Sequence, residues 1–148
     1  MIRCIVLIAI AGLLAGCEGP DSSDTAGAGH RLEEFQGKWL FINYWATWCA
    51  PCVHEIPELN KLSEEHADEL AVYGVNFDGP TGEERHRQIE KMNIEFPVFR
   101  EDPYERFGYE RPQVLPSTFV FSPEGEHVET LIGAQTEESL LAVMDEHE

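Results

Sequence analysis

Two cysteines separated by two residues, Cys49 and Cys52, lie where a buried strand gives way to a helix. Residues 39–45 before them are apolar, aromatic and β-branched, which is typical of a buried strand. After them, Ile56 and Leu59 recur at helical spacing. The first turn of a helix has unpaired N–H groups and the positive end of the helix dipole, which lower the pKa of a thiol placed there. The pattern therefore predicts a reactive dithiol.

One Cys-x-x-Cys pair is compatible with two kinds of site. Zinc sites usually combine two such pairs, whereas a single pair is typical of redox motifs. His54 is close enough in sequence to supply a third ligand, which leaves a Cys49/Cys52/His54 metal site as the alternative. In the redox interpretation, Cys49 is the attacking thiolate because it lies nearer the helix N-terminus. Cys52, one turn later, would then resolve the mixed disulfide.

The chain is strongly acidic, with 10 basic and 28 acidic residues and a net charge of −18. This charge repels phosphate backbones and argues against nucleic acid as a partner. It indicates either a solvated acidic surface or a surface that docks a basic partner. Hydrophobic residues make up 43% of the 148 residues, which is enough for the core of one domain.

Residues 1–16 are predicted to be a signal peptide, because Arg3 precedes an apolar run too short to span a bilayer. The tetrad Leu14-Ala15-Gly16-Cys17 resembles the bacterial lipobox, which implies that Cys17 is lipidated and anchors the chain to a membrane. An ordinary signal peptide with an incidental cysteine and an uncleaved anchor are the alternatives. Residues 17–29 are rich in Gly, Ser, Ala and Asp and indicate a flexible tether. The folded domain is expected over 30–148.

Patterns of strand and helix alternate through this domain. Strands are predicted at 39–45, 70–77, 94–99, 118–121 and 127–132, and helices at 49–66, 83–92, 102–107 and 136–146. The turn at 122–126 makes the last two strands an antiparallel hairpin. Together these elements predict an α/β sandwich in which a central mixed β-sheet is flanked by helices.

Two stretches of the sequence carry a specific resemblance. Residues 43–57 (NYWATWCAPCVHEIP) resemble the active-site segment of the thioredoxin superfamily, and more narrowly its membrane-tethered extracytoplasmic branch, which includes TlpA and ResA. Residues 114–121 (VLPSTFVF), followed by Pro123-Glu124-Gly125, resemble the cis-proline loop of that family and the hairpin after it. The resemblance covers roughly residues 32–148 and implies a thioredoxin-like fold.

The resemblance implies roles for residues around the cysteines. Pro116 would be a cis-proline beside the thiols, and the backbone of Leu115 would pair with an extended substrate. Trp48 joins these two as an expected substrate-binding residue. Glu55 would take the proton of Cys52 during resolution, provided that burial raises its pKa; the alternative is a solvated helix carboxylate.

Two departures from ordinary thioredoxin and one unassigned segment qualify the comparison. Asn43 occupies the position of a buried aspartate, so that proton acceptor is missing. Pro51, the second residue between the cysteines, matches the reducing members of the superfamily, whereas Ala50 is not diagnostic. Residues 107–113 follow no family pattern and are expected to lie close to the substrate groove.

The sequence therefore predicts a monomeric thiol–disulfide oxidoreductase that reduces protein disulfides outside the cytoplasm, on the periplasmic face of an inner or outer membrane. A membrane electron donor would re-reduce it, and a role in cytochrome c maturation or envelope redox homeostasis is implied. We expect no metal ion and no cofactor beyond the redox-active Cys49–Cys52 disulfide. The alternatives are a peroxidase of the peroxiredoxin type and a copper- or haem-handling binding protein. Peroxiredoxins place a threonine three residues before the reactive cysteine, whereas Thr47 precedes Cys49 by two.

Overall fold

A computed structural model describes residues 32–147 of the chain. The predicted signal peptide (1–16), the predicted lipidation site Cys17 and the predicted tether (17–29) lie outside the described residues. Among residues 32–147, no helix is long and apolar enough to cross a membrane.

Four strands and four helices follow a short 3-10 helix at Leu32–Phe35. The strands are β1 Trp39–Trp45, β2 Leu70–Asn76, β3 Ser117–Phe121 and β4 His127–Ile132. The helices are α1 Ala50–Glu65, α2 Gly82–Lys91, α3 Tyr104–Phe107 and α4 Glu137–Glu146. The strand order is β2-β1-β3-β4; β1 and β2 are parallel, and the other two pairs are antiparallel. The predicted mixed sheet with flanking helices is confirmed, with the predicted ends of the elements shifted by one or two residues.

Strand β1 is the centre of the fold, because all seven of its residues are buried. Its side chains alternate between two apolar clusters, as the pleat of a strand requires. Phe41 and Trp45 join the cluster formed with α1 and α4. Leu40 and Ile42 join an aromatic-rich cluster on the opposite face, which is covered by α3 and the 3-10 helix. Cys49 and Cys52 follow the end of this doubly buried strand.

The strand predicted at 94–99 is wrong. Here the chain makes one isolated parallel bridge, between Val98 and Gly74 of β2. Gly74 N–H donates to the Pro97 carbonyl at 2.8 Å, and Phe99 N–H donates back to the Gly74 carbonyl at 2.9 Å. Pro97 has no N–H with which to extend the ladder. The apolar side chains of residues 94–99 are therefore buried along the edge of β2 without forming a strand.

Gly74 allows this edge to pack closely, and its substitution tests the packing. A Cβ at this position would lie 2.9 Å from Trp45 Nε1, 3.1 Å from Phe96 Cε2 and 3.2 Å from Val98 Cγ2. We expect Gly74→Ala to lower the free energy of unfolding by about 1–3 kcal/mol, since the crowded side chains are buried. Denaturant unfolding measures this, with Asp68→Ala on an exposed turn as a control that changes stability by less than about 0.5 kcal/mol. An unchanged midpoint for Gly74→Ala would contradict the packing.

Candidate active site

Cys49 and Cys52 form a disulfide at the start of α1, with an S–S distance of 2.06 Å and a Cα–Cα distance of 5.3 Å. Cys49 is the N-cap residue of the helix, and Cys52 lies in its first turn. The Cys52 N–H donates to Cys49 Sγ at 3.3 Å. Cys49 is 5% exposed and Cys52 is fully buried, so the predicted nucleophile is the less buried of the two cysteines. In the reduced protein, the same N–H and the helix dipole would stabilise a Cys49 thiolate.

Pro116 and Leu115 lie in the loop that enters β3. The Leu115–Pro116 peptide bond is cis, as the resemblance implied. Leu115 is partly buried and packs against the apolar cluster that contains both cysteines. Ser117 Oγ donates to the Val114 carbonyl at 2.9 Å and closes the loop. The loop is therefore packed on the redox site.

Trp48, which directly precedes the nucleophile, is 64% exposed. Its indole Nε1 donates to Asp78 Oδ2 at 2.9 Å, and its ring meets the edge of Phe77 with centroids 6.4 Å apart. Val53 in the first turn of α1 and Val114, which directly precedes Leu115, are also exposed, at 50% and 49%. Large apolar side chains held open to solvent beside a reactive group suit contact with a protein substrate.

Glu55 is fully buried on α1, three residues after Cys52. Its Oε2 accepts a hydrogen bond from Asn43 Nδ2 at 2.8 Å, and its Oε1 accepts one from the Gln135 N–H at 3.2 Å. Burial raises the pKa of Glu55 from 4.5 to about 7, although both hydrogen bonds act to lower it. The alternative of a solvated helix carboxylate is wrong for Glu55. A carboxyl that titrates near neutral pH can both accept and release a proton.

Asn43 and Thr118 complete the surroundings of Glu55. They face each other across the β1–β3 ladder, and Asn43 Nδ2 donates to Thr118 Oγ1 at 2.9 Å as well as to Glu55. Asn43 has a signal in the sequence, because strand alternation places it on the same face of β1 as Phe41 and Trp45. No sequence signal points to Gln135, which lies 80 residues from Glu55 along the chain.

The unassigned segment 107–113 is held at the same end of the sheet by Arg111. Arg111 Nε donates to Asp102 Oδ2 at 2.8 Å, and its guanidinium lies 4.1 Å from the centroid of the Phe77 ring. A second nitrogen of Arg111 donates to the Phe77 carbonyl. Since Phe77 also supports Trp48, Arg111 fixes the residue on which the exposed indole rests. This supports the expectation that the segment lies close to the substrate groove.

Potential metal ligands cluster away from the cysteines. Within residues 32–147, one group of three has its ligand atoms within 4.8 Å of one another, namely Glu65, His66 and Glu137. It lies at the C-terminal end of α1, whereas the disulfide lies at the N-terminal end. Cys49, Cys52 and His54 do not form such a group.

A mixed sheet whose central strand leads into a helix-capping Cys-x-x-Cys disulfide, faced by a cis-proline loop, defines a thioredoxin-like redox protein. Comparisons with known proteins agree. The AhpC/TSA family matches residues 16–129. The thioredoxin-like protein YneN of Bacillus subtilis is 29% identical, over 90% of this chain and 81% of its own length. The thiol-disulfide oxidoreductase ResA of Bacillus cereus is 30% identical, over 84% of this chain and 73% of its own length.

The fold has close counterparts among solved structures. The pneumococcal exposed lipoprotein thioredoxin of Streptococcus pneumoniae aligns with a TM-score of 0.62 and 22% identity, over 79% of this chain and 90% of its own. The chain belongs to the AhpC/TSA family, and its resemblance to the ResA-type thioredoxins is confirmed. It is a thiol–disulfide oxidoreductase.

The raised pKa of Glu55 predicts a pH dependence of stability. Between pH 4.5 and about 7 the folded protein holds a proton on Glu55 that the unfolded chain releases. Stability contributed by this proton is therefore present below about pH 4.5 and is lost as pH rises through about 7, by an amount on the order of 3 kcal/mol. We expect Glu55→Gln to abolish this decline in the oxidised protein, as measured by denaturant unfolding at pH 4.5, 6 and 8.

Glu64→Gln supplies the matched control, because Glu64 is an exposed carboxylate on the same helix. This variant should keep the pH dependence of the unmodified protein. If the free energies of unfolding of the unmodified protein and of Glu55→Gln changed in parallel between pH 4.5 and 8, the pKa of Glu55 would be at its ordinary value of 4.5.

Proposed function

We propose that this protein is a lipid-anchored, extracytoplasmic reductant of protein disulfides that uses Cys49 as nucleophile, Cys52 as resolving cysteine and Glu55 as proton acceptor. The observation that carries the proposal is the Cys49–Cys52 pair at the helix N-terminus with a buried carboxyl three residues beyond it. Cys49 is the less buried of the two cysteines, and burial raises the pKa of Glu55 to about 7. The position of Cys49 thus suits a nucleophile, and the raised pKa of Glu55 suits a proton acceptor.

The reaction begins from the reduced pair. The Cys49 thiolate attacks one sulfur of a substrate disulfide, the substrate S–S bond breaks, and the first substrate thiolate leaves and takes a proton from solvent. Glu55 accepts the proton of the Cys52 thiol, and the resulting thiolate attacks Cys49 Sγ. This forms the Cys49–Cys52 disulfide and releases the second substrate thiolate, which takes up the proton that Glu55 gives back. Two electrons pass from the cysteine pair to the substrate.

The substrate contacts are assigned to Trp48 and to the loop of Leu115 and Pro116. Trp48 offers an exposed apolar surface next to the nucleophile, and Leu115 packs against the cluster that holds the disulfide. An extended segment of a substrate could pair with the Leu115 backbone while its disulfide meets Cys49. The resemblance to TlpA, ResA and the cytochrome c maturation thioredoxins favours apocytochrome c, with its own cysteine pair, as a substrate. Maintenance of envelope thiols is the broader role.

The location follows from the N-terminal sequence. The lipobox-like tetrad ending at Cys17 supports lipidation, and residues 18–29 would hold the domain clear of the bilayer. Because the exterior lacks a thiol buffer, a membrane electron donor must return two electrons to the disulfide after each cycle. Pro51 supports the reducing direction, since it matches the reducing members of the superfamily.

Reduction of insulin disulfides tests the two cysteine roles. We expect Cys49→Ala to lose activity, because Cys52, the other described thiol at the helix start, is fully buried. Cys52→Ala should instead accumulate a mixed disulfide with the substrate, which non-reducing electrophoresis and mass spectrometry detect. Ser63→Ala on the same helix should keep full activity. Retained reductase activity in Cys49→Ala would refute the assignment, and rapid peroxide consumption without insulin reduction would favour the peroxidase alternative.

The reduction potential decides the direction of electron flow. A titration against dithiothreitol, followed by the fluorescence of Trp45 and Trp48, should give a value near about −250 mV or lower for a reductant. A value near about −120 mV would make the protein an oxidant. Stoichiometric metal retained by the reduced cysteines, in protein purified without chelator, would favour the copper- or haem-handling alternative instead.

Substitution of Cys17 tests the anchor. We expect the full-length protein produced in a Gram-negative bacterium to fractionate with membranes and to carry acyl chains at Cys17, detectable by mass spectrometry. Cys17→Ser should move the protein to the soluble fraction, because a signal peptide alone leaves no lipid attached. Cys4→Ser serves as the control and should leave fractionation unchanged. Membrane association that persists in Cys17→Ser would indicate an uncleaved anchor.

A further inference from the structure

Asn43 makes an unbalanced set of hydrogen bonds in the buried layer between β1 and α1. Its side chain is fully buried, and its Nδ2 donates both to Glu55 Oε2 at 2.8 Å and to Thr118 Oγ1 at 2.9 Å. Its Oδ1 is buried and has no hydrogen-bond partner among residues 32–147. A buried polar atom without a partner costs free energy and calls for an explanation.

The present orientation of the amide suits a charged Glu55. A carboxylate accepts hydrogen bonds and donates none, so the Nδ2 end of Asn43 must face Oε2. Turning the amide over would bring Oδ1 against Oε2 at about the present 2.8 Å separation and would oppose two acceptors. With Glu55 ionised, the amide keeps its nitrogen inward and leaves Oδ1 unpaired.

Protonation of Glu55 reverses this preference. A carboxylic acid with its proton on Oε2 becomes a donor toward Asn43, and Nδ2 would then oppose a second donor. A half-turn of the carboxamide brings Oδ1 to the place of Nδ2, where it accepts from Glu55. The hydroxyl of Thr118 can rotate to donate to the same Oδ1, because a hydroxyl both donates and accepts. The Gln135 N–H, a backbone group, cannot reverse in this way.

From this geometry we propose that Asn43 is a positioning residue that turns its carboxamide over when Glu55 gains a proton, and so supports both protonation states of the proton acceptor. The inference rests on the proposed role of Glu55 in resolving the mixed disulfide. The register places Thr118, whose hydroxyl can donate or accept, opposite Asn43 on one side, and Gly74, which has no side-chain hydrogen-bonding group, opposite it on the other. An aspartate at position 43 could not act in this way, since its two oxygens are alike.

Of the groups that bond to Glu55, only the Asn43 carboxamide can change from donor to acceptor. Glu55 accepts from Asn43 of β1 and from the Gln135 backbone in the loop before α4, and Thr118 of β3 accepts from Asn43; none of these groups is charged. On α1 itself, the cysteines are joined in the disulfide, and Glu58 accepts from the Glu137 N–H at 3.1 Å. The pKa of Glu55 responds to burial and to its two hydrogen bonds, and this agrees with the geometry.

Nuclear magnetic resonance of the full-length oxidised protein tests the turn directly. We expect the side-chain amide resonances of Asn43 to change between pH 5 and 9 with the same midpoint as the Glu55 carboxyl carbon. The change should disappear in Glu55→Gln. Asn76, a buried amide that donates to Gln88 at 2.8 Å, provides the internal control and should show no transition at that midpoint. An Asn43 amide that does not respond while Glu55 titrates would overturn the proposal.

A kinetic arm separates this inference from the proposed function. Asn43→Leu removes the donor at similar size, and we expect the pH profile of mixed-disulfide resolution to move toward higher pH by about one unit, since a hydrogen bond to the carboxylate is lost. Glu55→Gln should slow resolution by at least about 100-fold. Unimpaired resolution in Glu55→Gln would refute the proton acceptor. Slow resolution in Glu55→Gln together with an unmoved profile in folded Asn43→Leu would refute only the role of Asn43.

Discussion

Burial of β1 on both faces is the constraint on which the rest of this structure depends. A strand with no exposed residue needs an apolar layer on each side, and these layers are supplied by α1 and α4 on one face and by the aromatic cluster on the other. The strand ends at Trp45, and the chain must turn there into α1. The turn delivers Cys49 to the helix N-terminus, where unpaired N–H groups favour a thiolate.

The same burial gives Glu55 its chemistry. A carboxyl on the inner face of α1 lies against β1, where water is excluded and the charged form is disfavoured. Asn43 and Gln135 compensate part of this cost through hydrogen bonds, without a charged partner that would hold the group ionised. The result is a carboxyl poised near neutral pH, three residues beyond the resolving cysteine. Ordinary thioredoxin places its acid on the strand, whereas this chain places it on the helix.

Local pattern was sufficient to predict most of the fold. β1, α1, the hairpin and α4 carry strong periodicity. Helix ends also have clear signals: Thr136 caps α4 and forms a capping box with Ser139, and Gly108 ends α3 in the left-handed conformation. The pattern failed at 94–99, because alternation of apolar residues reports burial and not strand pairing. Pro97 removed the donor that a longer ladder needs, and the segment was buried without becoming a strand.

The sequence by itself determined that two thiols lie within bonding distance, since a Cys-x-x-Cys pair between a strand and a helix brings them together by local geometry alone. The resemblance of residues 43–57 and 114–121 then implied the redox reaction. The sequence also places a glutamate, Glu55, three residues after Cys52. Only the tertiary structure decided that Glu55 is buried and which groups bond to it. Asn43 reaches it from β1 while also bonding to Thr118, and the Gln135 N–H reaches it from 80 residues further along the chain. The pKa of a carboxyl depends on solvent exclusion and on such long-range partners, and neither is encoded in the residues beside it.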